Sequence, residues 1–449
     1  MPFPLTEEQQ KIVNDRGGEL LVSAAAGSGK TRVLVERLLD RVAKEGTDID
    51  RYLVITYTKA AAAELRGRIA QELSDRLAQN PDDRHLRRQT TLVYRAQIST
   101  IHAFCAALLR ENGHLLDLDP DFRLCDEGEC QVLMGQVLDE VLDKRYEDLE
   151  EGSPFALLVD TLSAGRDDSQ LAQITVDIFA RVQSHPDPAR WLEEQKELWR
   201  LETVSDLAQT PWGAPLLEDI QRQARACRDR LRYALGLCRG DELLEANYIP
   251  SISETLDGLE DFLRETTWDG ACTRLPIPFP AAGRKRKRTV LISPMEELEN
   301  AGTAERMKAI RTRCKKALDK AAEPFAAGNT AVQMEDLALS APVVEALMDL
   351  VLDVQSAFSK EKARRGLLDF SDLEHCAVKL LTDGAGNPSQ LAQFLGTRYD
   401  EVLVDEYQDT NQVQNAIFDA ISDGGRRLFL VGDVSSPSTG SGWRILLFF

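Results

Sequence analysis

The chain has 449 residues, 43% hydrophobic and 29% charged, which is too long for one ordinary domain and too apolar for a disordered chain. A net charge of −20 argues against a dedicated nucleic-acid-binding module, although not against a protein that grips a polyanion in a local groove. No run of about 18 apolar residues occurs, which excludes a helical membrane span, and Met1-Pro2-Phe3-Pro4 lacks the basic and apolar regions of a secretory leader. Eight scattered cysteines without a CxxC pair predict free, mostly buried thiols in a reducing cytoplasm, and no metal cluster.

In chain order, residues 5–13 predict a helix. Thr6 is its N-cap and Gln9, three residues on, completes a capping box. Residues 19–24 form a short apolar run ending in small residues, which predicts a buried strand. The following helix carries Val35, Leu38, Leu39 and Val42 at helical spacing. A second buried strand is predicted at 52–56, then an alanine-rich helix with a stripe of Leu65, Ile69, Leu73 and Leu77. A third strand falls near 97–100, with a helix from His102 onward. From about 115 to 365 the pattern is mainly helical, as at Val137 and Val141 and at Leu347, Val351, Val354 and Phe358. It is interrupted by a proline-rich stretch at 275–280 and a basic run at 284–288, which reads as a solvated loop or a non-specific phosphate contact. Residues 401–404 and 428–431 are again short apolar runs that end at acidic residues.

Strand–helix alternation at both ends predicts an α/β fold: a parallel sheet covered on both faces, interrupted by a large helical insertion. The expected boundaries are 1–115 and 366–434 for the two parts of the sheet domain, 116–365 for the insertion and 435–449 for a separate tail.

Two motifs carry chemistry. Residues 24–31 match G-x-x-x-x-G-K-[ST] with Ala24 at the first position, between a predicted strand and a predicted helix. Ala26, Gly27, Ser28, Gly29, Lys30 and Thr31 would surround phosphates with backbone N–H groups at a helix N-terminus. Lys30 would reach the β and γ phosphates of ATP, and Thr31 would bind Mg²⁺. At the end of the 401–404 strand, Asp405 would hold the same metal and Glu406 would orient and deprotonate the attacking water. Adjacent acids alone are a weak signal; paired with a phosphate loop they supply the metal site and positioned water that hydrolysis needs.

Together these residues resemble the UvrD/Rep branch of superfamily 1 helicases, with a RecA-like P-loop domain. Leu5-Thr6-Glu7-Glu8-Gln9 looks like the family's adenine-reading motif, which puts Gln9 on the base. Two stretches look like its strand-contacting motifs: Thr56-Tyr57-Thr58-Lys59-Ala60-Ala61 and Ser99-Thr100-Ile101-His102-Ala103-Phe104-Cys105. The resemblance assigns DNA contact to Thr56, Thr58, Lys59, His102 and Phe104. Asp405-Glu406-Tyr407-Gln408-Asp409-Thr410-Asn411 resembles the DE-x-QD signature, in which Gln408 would sense the γ phosphate, and Val431-Gly432-Asp433 opens the next motif. Leu368-Asp369-Phe370-Ser371-Asp372-Leu373-Glu374 narrows the likeness to AddA and RecB-type helicase–nuclease subunits. Read by itself that stretch is a helix start, with Ser371 and Glu374 spaced as a capping box. His102 and Phe104 read by themselves are core residues at a strand–helix junction.

The resemblance implies an ATP-dependent DNA helicase of double-strand-break repair. It would use ATP and Mg²⁺, act on single- and double-stranded DNA, and work with a second, AddB-like subunit. Two other readings stay open: a UvrD/Rep-type helicase without a nuclease, and an inactive DNA- or partner-binding remnant.

After Val434 the pattern breaks. A family-like Val-Lys-Gln-Ser-Ile-Tyr-Arg-Phe-Arg-Leu-Ala-Asp-Pro becomes Val-Ser-Ser-Pro-Ser-Thr-Gly-Ser-Gly-Trp-Arg-Ile-Leu, residues 434–446, when one A is removed from its lysine codon and synonymous codons are chosen freely. The expectation is an out-of-frame tail over 435–449, a motor lacking its second RecA-like domain and nuclease, and negligible turnover.

Overall fold

The computed structural model describes residues 4–16, 18–24, 27–162, 169–200, 204–284, 289, 292–433 and, by backbone alone, 444–448. They group into two compact units, one of residues 1–192 with 347–449, the other of residues 193–346.

The first unit is built on a six-stranded sheet, made of β1 (Leu20–Ala24), β2 (Tyr52–Thr56), β3 (Gln97–Thr100), β6 (Glu401–Val404), β7 (Leu428–Gly432) and β8 (Arg444–Phe448). Their order is β3-β2-β6-β7-β1-β8, and every pairing is parallel. A two-stranded parallel ladder of β4 (Arg123–Leu124) and β5 (Leu367–Leu368) stands apart. All five residues of β1, β2 and β7 are buried, as a sheet covered on both faces requires. The expected α/β fold with a parallel sheet is what the chain adopts. Four helices at its start are α1 (Glu7–Asn14), α2 (Lys30–Glu45), α3 (Lys59–Gln79) and α4 (Arg84–Leu92); α5 (Ile101–Asn112) follows β3. Thr6 and Gln9 form the capping box of α1. Val33, Leu34, Leu38 and Val42 of α2 pack with Leu65, Ile69 and Leu73 of α3 in one core layer; Phe104, Leu108, Leu373, Ile417 and Phe418 build the other.

The second unit is helical in its described residues. Helices Gly213–Cys238, Glu242–Leu263 and Pro294–Ala322 bury Leu231, Phe262 and Met307, and Trp268 stacks on Phe325 at 4.1 Å. Part of the expected insertion, 116–192 and 347–365, groups with the sheet rather than with this unit.

One local expectation is corrected. The capping box of helix Phe370–Leu381 is formed by Asp369 and Asp372, not by Ser371 and Glu374. The β4–β5 pairing fixes Leu367 and Leu368 as strand, so the helix starts two residues earlier than the Ser-x-x-Glu spacing suggests. Ser371 instead donates to Gln183 Oε1 at 3.3 Å.

All eight cysteines are free thiols, five of them buried. Among the described residues no helix is long and apolar enough to cross a membrane. Residues 285–288 of the basic run and 434–443 of the tail lie outside the described residues, and β8 adds the backbone of 444–448 beside β1.

Candidate nucleotide site

The strand ends gather the predicted chemistry at one edge of the sheet. β7 lies between β1 and β6, with Ser23 level with Gly432 and Val404 level with Leu430. Loops leaving β1, β6 and β7 therefore emerge side by side, the usual place for a ligand in an open α/β sheet.

After β1 the chain turns through Gly27 and Gly29, with φ of 79° and 89°, a left-handed conformation that other residues adopt only at a cost. Gly29 is the N-cap of α2 and brings no capping side chain, so the first-turn N–H groups face the loop. A Cβ on Gly29 would sit 3.4 Å from Gln9 Nε2, which itself donates to Ser28 O at 3.0 Å. The predicted adenine reader thus closes on the phosphate loop. Among the described residues Ser28 Oγ is buried with no hydrogen-bond partner, which is uncommon for a buried polar atom. Ala26 lies outside the described residues.

Lys30 forms an ion pair with the Asp433 carboxylate. Thr31 Oγ1 donates to Asp405 Oδ2 at 3.0 Å, which sets a hydroxyl beside a carboxylate. That is an all-oxygen pair of the kind a hard divalent cation takes. Burial pushes the Asp405 carboxyl above its ordinary range; the Thr31 hydrogen bond opposes this and the charge of Glu406 adds to it. Glu406 stands in the left-handed region with φ 56° and ψ 40°. A non-glycine residue held there costs about 1–2 kcal/mol, and such strain concentrates at functional sites. Gln408 donates from Nε2 to the Glu406 carboxylate and accepts from Asp433 N at 2.9 Å through Oε1. Lys30, Thr31, Asp405, Glu406, Gln408 and Asp433 are therefore one connected cluster, drawn from the three segments that follow β1, β6 and β7.

The residues assigned to strand contact divide. Thr58 caps α3 by accepting from Ala61 N at 3.0 Å, and Lys59 is exposed beside it. Thr56 is buried, with its hydroxyl on Thr58 O at 3.2 Å. His102, on the first turn of α5, is half-buried. Phe104 is 5% exposed and packs in the core, because it lies on the face of α5 that carries Ile101, Cys105 and Leu108. Two rings not among the sequence candidates are exposed instead: Tyr57 at 58% and Phe370 at 52%, the latter 4.7 Å from the His102 ring. Tyr57 lies inside a strand-contact motif and Phe370 in the 368–374 stretch, which was the available signal; exposure itself was not readable.

Residues 5–435 match the family model described as the UvrD/REP helicase N-terminal domain. Among curated proteins the chain is similar to the ATP-dependent helicase/nuclease A-subunit of Clostridium novyi (strain NT), 34% identical over 444 residues that cover 96% of this chain and 34% of that protein. The proteins of the same name from Bacillus pumilus (strain SAFR-032) and Geobacillus kaustophilus (strain HTA426) are 35% and 36% identical, over 96% of this chain and 35% of each relative. The chain spans about a third of the length of these relatives. A match over almost the whole chain, on residues that assemble into one phosphate-loop cluster, settles the family: the chain belongs to the UvrD/REP helicases, of whose N-terminal domain it carries the sequence.

Proposed function

We propose that the chain is the ATP- and DNA-binding N-terminal motor segment of an AddA-type helicase–nuclease, whose whole protein unwinds and degrades DNA ends in double-strand-break repair together with a second subunit. The observation that carries this is the joining of Lys30, Thr31, Asp405, Glu406, Gln408 and Asp433 in one cluster beside a glycine loop at a helix N-terminus. Thr31 and Asp405 would hold Mg²⁺, which supplies charge neutralisation at the β and γ phosphates. Lys30 binds the same phosphates once it leaves Asp433. Gln9 orients the base against Ser28. Glu406, fixed by its backbone and by Gln408, is placed to hold a water and take its proton. The exposed edge of Tyr57, Lys59, His102 and Phe370 offers rings for base stacking and a cation for the backbone of single-stranded DNA.

Two titrations of the chain test the reading: a fluorescent ATP analogue with Mg²⁺, and a fluorescein-labelled oligothymidylate followed by anisotropy. Saturable binding is expected in both, that of the oligonucleotide weakening steeply with salt. Absence of nucleotide binding would refute the assignment.

The strained backbone gives a second test. Glu406→Gly should be more stable to urea than Glu406→Ala by about 1 kcal/mol, because alanine keeps the left-handed cost and glycine removes it. Equal stabilities would show that Glu406 is unstrained.

A further inference from the structure

Helix Phe370–Leu381 starts with an exposed ring and, one turn on, buries a carboxylate. Glu374 is 5% exposed. Freed from the capping role that Asp372 fills, it meets nitrogen from three directions. His102 Nε2 lies 3.0 Å from its Oε1, Gln414 Nε2 donates to the same oxygen at 2.8 Å, and Asn411 Nδ2 reaches Oε2 at 3.5 Å. The basic side chain bonded to this carboxylate, among the described residues, is an imidazole rather than a lysine or arginine. Its negative charge is felt nearby: the Cys105 thiol is pushed up by burial first and by Glu374 second.

A buried carboxylate is an expensive way to fill space. A well-packed apolar side chain of similar volume is often as stable or more so. What distinguishes Glu374 is the identity of its partners. His102 lies on the strand-contacting edge, against Phe370. Asn411 caps helix Gln412–Ile421, accepting from Gln414 N at 2.8 Å, and directly follows the segment that holds Asp405, Glu406 and Gln408. One carboxylate is thus bonded to both ends of the device: the edge that would grip DNA and the segment that would sense nucleotide.

We propose that Glu374 is a positioning residue that couples the two, transmitting displacement of residues 405–411 to His102 and Phe370 without touching either ligand. This rests on the functional reading above. It predicts a coupling free energy between the sites that passes through Glu374, rather than a contribution to either affinity alone.

The test is a thermodynamic cycle on the full chain. Oligothymidylate affinity is measured with and without saturating Mg²⁺ and a hydrolysis-resistant ATP analogue, for wild type, Glu374→Gln and Gln414→Met. The first variant keeps the shape of the side chain and removes its charge; the second breaks the same link from the other side. Circular dichroism establishes that each is folded, and either one suffices. In wild type, nucleotide should change oligonucleotide affinity about five-fold or more. In both variants that factor should fall toward one, with nucleotide affinity measured alone unchanged. Variants that retain the wild-type factor would overturn the proposal. So would a wild-type chain that binds both ligands with no coupling, although it would leave the nucleotide and DNA sites standing. A wild type that binds neither ligand would instead sink the functional reading on which the proposal rests.

Discussion

Replacing Arg37 with methionine should destabilise the sheet unit by about 3–5 kcal/mol, the cost of leaving a buried charge without its partner. Arg37 is 1% exposed and Glu401 is 2% exposed. The guanidinium contacts Glu401 through Nη2 at 2.7 Å and Nε at 3.2 Å, and donates from Nη1 to Ile12 O at 2.8 Å and Asp15 O at 2.6 Å. Its plane lies over the Phe429 ring, 4.5 Å from the centroid. One side chain therefore satisfies carbonyls at the C-terminal end of α1, joins α2 to β6 and packs on β7. Lysine cannot reproduce this, since a point charge lacks the planar fork that meets several acceptors at once, so Arg37→Lys should recover little. Arg41 Nη2, 2.9 Å from Glu401 Oε1, would hold part of the orphaned charge and sets the loss toward the lower end. Removing both partners, with Arg37→Met and Glu401→Leu together, should restore much of the stability. Urea unfolding of the four proteins decides it. A loss below about 1 kcal/mol for Arg37→Met would put the pair in the class of exposed ion pairs. Because α1 carries Gln9, the single variant should also loosen the contact of Gln9 with Ser28.

Local chemistry reaches the strands and the phosphate loop but not this pair. Short apolar runs with small or acidic ends are legible because a doubly covered parallel strand must be buried on both faces, and β1, β2 and β7 are. Gly27 and Gly29 are legible because few residues tolerate their backbone. Arg37 and Glu401 stand 364 positions apart, and neither carries a local signal that it will be buried. Helix Phe370–Leu381 shows a different limit. Asp369-x-x-Asp372 and Ser371-x-x-Glu374 both fit a cap by spacing; the choice between them is made by a strand pairing with Arg123 and Leu124, far away in the chain. Phe104 shows a third. Its helical spacing with Ile101, Cys105 and Leu108 pointed to the core while motif position pointed to the surface, and the hydrophobic face prevailed. Tyr57 and Phe370 could not be told from core residues by type, since an aromatic ring is as ordinary inside as at a stacking edge.

Lys30→Ala should weaken Mg²⁺–ATP binding by about 10–100-fold, since a hydrogen bond to a charged group contributes about 1.5–3 kcal/mol. The ion pair with Asp433 makes the sign of a second variant informative. A phosphate must displace the Asp433 carboxylate from Lys30 and also lie near its negative charge. Asp433→Asn removes both the competitor and the repulsion, so nucleotide affinity should rise rather than fall. Asp433 N would still bond to Gln408 Oε1, a backbone contact that the substitution leaves alone. In the absence of Mg²⁺ the gain should be greatest, because there the phosphate charge is not neutralised by the cation that Thr31 and Asp405 would hold. Titration of wild type and both variants with the fluorescent analogue, with and without EDTA, reads all of these. Equal affinities for wild type and Lys30→Ala would mean that the loop does not hold phosphate. A fall in affinity on Asp433→Asn would mean that Asp433 positions Lys30 for the ligand rather than competing with it.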